Sequence, residues 1–272
     1  MERILQCPTT FVFRRTTNLR SSAMKLPTVT QAFLIHFGVS LAVFGVLVAI
    51  MVFSWFPGNL FFMEGGLEGL KIIAPIDLIL GPALTLAFYR PWKKSVKLDM
   101  ALIVTVQIAA LGYGVYAAHG QRTAAIVYAQ GDFGTSRFET VSYSEYKDAG
   151  KINLDKGRPV KSIDDFGGKM PIVVYAEPFT GDDARKNLED MLNGGLELRE
   201  RSDRYRPLAD MPDDLANALA TGDTGVTEVP ASSKSANRPD KLSAPLKARF
   251  GSGELTVNVA TGKIMRITRL DE

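Results

Sequence analysis

The sequence predicts an α-helical membrane bundle of three transmembrane segments, followed by a small external α+β domain that closes on a β-hairpin. Three observations carry this prediction. Three long apolar runs lie between Phe33 and Ala118. Beyond Gln121 the chain turns polar, with Asp, Lys, Arg, Gly and Pro throughout. That polar stretch alternates strand-like runs with a helical stripe of apolar residues. The division is therefore residues 1–32 before the membrane, 33–119 within it and 121–272 beyond it. The bulk composition, 46% hydrophobic over 272 residues, hides this split because it averages two unlike halves.

Residues 1–32 read as a cytoplasmic segment. Arg14, Arg15 and Arg20 lie among Thr and Ser, with no apolar core of signal-peptide length before Met24. Met24-Lys25-Leu26 followed by an apolar run resembles a start in its own right. Residues 1–23 are thus read as an over-extended start or a disordered basic leader, with a short functional cytoplasmic segment as the alternative. Cys7 is the single cysteine, so an intrachain disulfide is excluded.

The first span is expected at about 33–56, enough to cross ~30 Å of hydrocarbon. Its end, Trp55-Phe56-Pro57-Gly58, joins an interfacial aromatic to a helix stop. No small-residue cleavage site follows, so the span reads as an uncleaved anchor. The second, about 70–89, contains Ala74-Pro75-Ile76-Asp77-Leu78-Ile79-Leu80-Gly81-Pro82. A charge near a bilayer centre costs roughly 2.5–3.5 kcal/mol on insertion scales, and a simple anchor has no need of one. If Pro75 sits in the first turn, the helix to Arg90 reaches only ~22 Å. The segment is then either kinked and continued upstream to Leu70, or re-entrant. The third span is expected at about 100–118.

Two faces of small and polar residues stand out. Ala74, Asp77, Gly81 and Thr85 share one side of the second segment, and Gln107, Ala110, Gly114 and Ala118 share one side of the third. Small residues let membrane helices approach closely, so the two segments are expected to pack together or around another helix. The loop between them carries Arg90, Lys93, Lys94 and Lys97, whereas the loop between spans one and two has Glu64 and Glu68 against Lys71. The positive-inside rule places the N-terminus and the basic loop in the cytoplasm, and three crossings place the tail outside.

In the tail, strands are expected at 123–129, 137–143 and 171–176. Thr180-Gly181-Asp182-Asp183 resembles a capping box opening a helix whose stripe is Ala184, Leu188, Met191 and Leu192. A shorter helix is expected at 212–219, a loop at 221–240, and a hairpin at 254–260 and 263–270 about Thr261-Gly262.

Catalytic and cofactor chemistry finds no support. There is no Cys-His pairing, and His36 and His119 fall at expected membrane edges, where they read as headgroup contacts. Gly112-Tyr113-Gly114 lies within an apolar helix, so it is no nucleotide loop. Asp182-Asp183 and Asp213-Asp214 sit at helix starts, where acids complement the dipole, and Ser162-Ile163-Asp164-Asp165 reads as a solvated turn. A net charge of +3 without a basic stripe argues against nucleic acid. No enzyme activity, cofactor or metal is expected.

Several stretches together resemble the type IV pilin accessory proteins, small inner-membrane proteins of Gram-negative bacteria. They are Trp55-Phe56-Pro57-Gly58-Asn59-Leu60-Phe61, Asp77-Leu78-Ile79-Leu80-Gly81-Pro82-Ala83-Leu84-Thr85, Lys97-Leu98-Asp99-Met100 and Gln107-Ile108-Ala109-Ala110-Leu111-Gly112-Tyr113-Gly114. The likeness covers roughly residues 24–127. It is looser in the tail, through Gly194-Gly195, Tyr205-Arg206-Pro207 and Thr261-Gly262. One departure is Gln121-Arg122-Thr123-Ala124, which stands where the family usually has an Arg-Pro-Val strand. The resemblance implies an inner-membrane, multi-pass, non-catalytic helper with a periplasmic tail, supporting the level, stability or assembly of a type IV pilin. Its implied partners are the pilin, the lipid bilayer and other pilus assembly proteins. The residues expected to bind a partner or pack the bundle are Trp55, Pro57, Gly58, Asp77, Gly81, Pro82, Thr85, Gln107, Ala110 and Gly114. Two alternatives remain open: a membrane enzyme or transporter component using Asp77, where flanking prolines mimic a broken helix, and a periplasmic sensor module. Asp77 itself is expected either to hold the bundle through Thr85 or Gln107, or to touch the pilin. It lies 12 residues before Tyr89, or ~18 Å from the cytoplasmic edge, too deep for a pilin N-terminus.

Overall fold

The computed structural model describes residues 27–130, 136–221 and 239–270. The leader with Cys7 and most of the expected 221–240 loop lie outside those residues. Three helices are long and apolar enough to cross a membrane: α1, Val29–Trp55; α2, Gly66–Phe88; and α3, Val96–Gln121. At 1.5 Å per residue the shortest reaches about 34 Å, beyond the ~30 Å of hydrocarbon. Each expected span falls largely within its helix, but all three helices begin four residues earlier. The apolar pattern marks only the lipid-length part of a helix, and capping fixes its end. At α1, the Thr28 hydroxyl accepts from Gln31 N–H at 3.3 Å, and the Gln31 amide oxygen accepts from Thr28 N–H at 3.0 Å.

Of the two forms expected for the second segment, the one continued upstream is found, and α2 runs through its prolines. Residues Pro75–Leu80 form a π-helical turn in which Gly81 N–H reaches back to the Ile76 carbonyl. Widening the turn accommodates the donors that Pro75 and Pro82 lack. A second π-turn, Met51–Trp55, ends α1. Helix α2 packs against both α1 and α3. At one end of the bundle Leu47, Met51, Phe56 and Phe61 are buried against Leu70, Ile73, Leu111 and Val115.

The tail is a seven-stranded mixed sheet in the order β4-β3-β1-β2-β5-β6-β7. Its strands are β1 Thr123–Gln130, β2 Ser136–Ser142, β3 Ile172–Ala176, β4 Tyr205–Pro207, β5 Lys241–Lys247, β6 Ser252–Asn258 and β7 Ile264–Arg269. The central β1 pairs antiparallel with β2 and parallel with β3. Around it the helices are α4 Tyr143–Asp155, α5 Gly181–Leu192 and α6 Asp213–Thr221. One sheet face buries Ile126, Tyr128, Phe138, Leu246 and Leu255 under Leu215 and Leu219 of α6. The other buries Val127, Val141, Val174 and Tyr205 under Tyr146 of α4 and Phe166.

The expected strands at 123–129, 137–143 and 171–176, the helices after Thr180 and Pro212, and the closing hairpin all form. Gly262 turns that hairpin at φ 63°, with Thr261 N–H donating to Asn258 Oδ1 at 2.9 Å. The expected capping box at Thr180 does not form: its side chain makes no cap bond, and Gly181 opens the helix at φ 56°. Three sheet-domain elements escaped prediction, α4, β4 and β5. Helix α4 starts from a Ser142–Glu145 capping box but carries too few apolar residues to show a stripe. Strand β5 alternates Leu242, Ala244 and Leu246 inward, yet contains Pro245, which normally demotes a strand. Its parallel pairing with β2 is confined to Leu246 and Lys247, beyond the proline.

Sheet and bundle are joined by more than a linker. Between α1 and α2 the chain makes one helical turn, Leu60–Met63, flanked by Gly58 and Gly65 at positive φ. Leu60 and Met63 are fully buried in the sheet's core. Phe250 N–H donates to the Met63 carbonyl at 2.8 Å, and Asn59 Nδ2 donates to the Ile267 carbonyl at 2.7 Å. The α1–α2 connection and the tail therefore occupy the same end of the bundle, the arrangement that three crossings require.

Candidate functional site

A polar cluster sits between the three apolar helices. Asp77, Gly81, Pro82 and Thr85 line the buried side of α2, with Asp77 only 7% exposed. The π-turn rotates that side so that Asp77 and Thr85, eight residues apart, face the same way. Thr85 Oγ1 donates to the Gly81 carbonyl at 3.2 Å and lies 2.5 Å from His36 Nδ1 of α1. From α3, Gln107 reaches Gly81 so closely that a methyl group there would overlap its amide. The aspartate is thus shielded by protein, as an intramembrane acid needs to be.

The expected bonds from Asp77 to Thr85 or Gln107 are not made. Thr85 is engaged by His36 and its own helix. Asp77 Oδ2 and Gln107 Nε2 are buried with no hydrogen-bond partner among the described residues. A buried carboxylate oxygen and an amide donor left open in this way are costly, and unsatisfied polar groups of this kind mark functional or strained positions. His36 is also corrected. It is no headgroup contact but half-buried in the bundle, one turn before buried Ser40. That polar pair at i, i+4 was the signal available in the sequence.

The other expected site residues divide. Gly114 packs on Ile73, 3.5 Å from where a Cβ would sit. Ala110, expected on the same face, is exposed; Leu111 and Val115 face the bundle instead. Counting by fours from Gln107 reaches Leu111 and Val115, whereas Ala110, three residues on, sits about 60° off that line. Pro57 and Gly58 shape the junction turn rather than the polar cluster. Trp55 meets the edge of His119 at 5.3 Å, and His119 meets Tyr143 of α4 at 5.6 Å. His119 therefore binds bundle to sheet instead of hanging free at a headgroup. Arg122, in the departure from the family pattern, lies 4.3 Å over the Tyr143 ring. Among the described residues no group of three or more His, Cys, Asp or Glu could hold a metal ion.

The junction carries one more buried charge, which the sequence reading had counted only toward orientation. Glu64 is 4% exposed. Burial pushes its carboxyl above the ordinary 4.5, against the pull of the Thr140 hydroxyl and of Arg249. Its Oε1 has no hydrogen-bond partner among the described residues.

Known proteins similar to this chain are fimbrial assembly proteins of Dichelobacter nodosus. That of serogroups C1 and C2 is 33% identical over 96 residues, covering 35% of this chain and 73% of the relative. Those of serogroups I and E1 are 33% and 32% identical over 96 residues, and the match spans 37% of their length. No protein-family profile matches the chain, and no solved structure does.

Proposed function

The chain belongs to the fimbrial assembly protein family, and from that premise we propose that it is a non-catalytic accessory protein of the inner membrane that supports a cognate type IV pilin. In this reading α1–α3 shelter the apolar helix of a pilin awaiting assembly, and the sheet domain, in the periplasm, meets the pilin's head. The observation that carries the reading is the junction at Leu60–Met63, which fixes the sheet to one end of the bundle. A subunit with one membrane helix and one external head needs a helper that holds both in register. Lipid offers little hydrophobic drive for helix pairing, so small-residue and polar surfaces must supply the contact. The charge bias of the loops supports a cytoplasmic basic loop and a periplasmic sheet.

Deleting the gene tests the reading. Surface pili of the cognate pilin, counted by shearing and immunoblot, are expected to fall several-fold and to recover on complementation. Unchanged piliation together with unchanged pilin levels would overturn it.

A further inference from the structure

The turn between β5 and β6, at 247–251, is tied to the ends of two of the long apolar helices. Phe250 N–H donates to the Met63 carbonyl at 2.8 Å. The Phe250 ring lies against Gly65, the residue before α2, 2.5 Å from where a Cβ would stand. Arg249 Nη1 donates to the side-chain oxygen of Gln121, the last residue of α3, and its Nη2 stands 3.7 Å from Glu145. The turn is thereby held level with those helix ends. Yet Phe250 is 58% exposed. Phe62, three residues before Gly65, is 46% exposed, and Leu67, in the first turn of α2, is 40% exposed. Three large apolar side chains thus stand uncovered at one level of the molecule.

Helix length says what covers them. At 1.5 Å per residue α2 reaches about 34 Å, against ~30 Å of hydrocarbon and ~40–45 Å with the headgroup layers included. Centred in the bilayer, its first residue stands ~2 Å outside the hydrocarbon, within a headgroup layer ~5–7 Å deep. The exposed Glu68–Lys71 pair, 2.6 Å apart, fits this placement. Helical side chains lean towards the N-terminus, so the Lys71 stem carries its ammonium back out to the headgroups. We propose that the sheet domain is seated on the leaflet at the N-terminal end of α2, with Phe250 and Phe62 in its headgroup layer. The partner is the lipid surface itself. Phe and Leu side chains enter this boundary through the hydrophobic drive that holds surface-bound helices there. The Phe250 backbone donor is already bound to Met63, so the turn brings no open N–H of that residue into the layer. The seating rests on the reading that α1–α3 cross the bilayer. It adds a second attachment, made by the sheet rather than by a helix.

The test uses the full chain in vesicles of phosphatidylethanolamine and phosphatidylglycerol, in a Cys7→Ser background that leaves no other thiol. A nitroxide spin label is attached singly through Phe250→Cys, Phe62→Cys, Ile108→Cys or Lys241→Cys. Ile108, 66% exposed and midway along α3, reads the hydrocarbon. Lys241, exposed at the far end of β5 from the turn, reads water. Collision of each label with oxygen, which concentrates in lipid, is compared with collision with a water-soluble nickel chelate. The oxygen-to-nickel ratio at Phe250 and Phe62 is expected to exceed that at Lys241 by roughly three-fold or more and to stay below that at Ile108. The Phe62 label lies outside the sheet, so it reads the layer even where substitution of Phe250 loosens the turn. Ratios at both positions equal to that at Lys241, beside a high ratio at Ile108, overturn the seating and leave the membrane reading standing. Labels shielded from both agents are covered by a second copy of the chain, which overturns the seating too. A low ratio at Ile108 removes the membrane reading and the seating with it.

Discussion

Glu64 shows how one residue can oppose stability. It is a carboxyl held away from water with one oxygen unmatched. Its folded pKa lies above the unfolded 4.5. The sign follows from linkage: a raised acid favours folding fully below the unfolded value and loses that contribution as pH rises through the folded value. Ionising Glu64 in the folded state as pH rises places a charge where burial opposes it, whereas the unfolded chain hydrates that charge freely. Glu64→Gln should therefore raise the melting temperature at pH 7, with the gain shrinking as pH falls towards 4.5. Melting curves of both proteins across pH 4–8 check this, and a constant difference would contradict it. Asp203 shows the opposite case. Arg201 donates to both its oxygens at 2.8 Å and holds its pKa below the ordinary value, although burial opposes the shift. Nothing in the residue pattern hints at the burial of Glu64, which reads there as a loop acid. Its burial is created by partners more than 70 positions away, Thr140 and Arg249.

Helix α2 is the element on which the bundle turns. Its Gly81 lies against the end of the Gln107 side chain, which a methyl group there would have to displace. Gly81→Ala is expected to push that flexible amide aside and to cost about 1 kcal/mol, the low end of overpacking. Adding Gln107→Ala should recover most of the loss, which thermal unfolding in detergent would show; no rescue would mean that the contact is not the cause. The run Asp77 to Thr85 and its packing on α3 were legible because small residues and an acid are rare in lipid-length segments. The π-turn was not legible. Two prolines argue for a break, and only the reach of Gly81 N–H to Ile76 shows that the helix widens instead. Ala110 was misplaced because small residues mark it, whereas the contact line runs by fours from Gln107 through the larger Leu111 and Val115. In the sheet, strands with strong β-branched runs such as Ile172–Ala176 were plain, whereas α4, polar and held by its Ser142 cap, was not.

At the scale of the whole molecule the decisive feature is that the sheet's core is completed by residues from between two of the long apolar helices. Leu60 and Met63 come 63 and 60 positions ahead of the first strand, yet they are buried with Leu246 and Leu255. A sheet domain whose core depends on that turn cannot be indifferent to the bundle, and tilting of the domain on the bundle must first extract the turn. Met63→Ala leaves a cavity against Gly251 and Gly253 and should cost roughly 2–5 kcal/mol. The loss should appear in the sheet although the substitution lies outside it. The chain offers separate probes for this. Its two tryptophans, Trp55 and Trp92, both lie in or beside the bundle. In a Trp92→Phe background, Trp55 reports the junction through its contact with His119, and circular dichroism in the strand region reports the sheet. In urea, with detergent, the two signals should change together in the parent protein. Met63→Ala should move the strand transition to lower urea and separate it from the loss of the bundle helices. A strand transition unmoved by Met63→Ala would mean that the sheet holds its core alone, and a rigid register between bundle and sheet domain would have no physical basis.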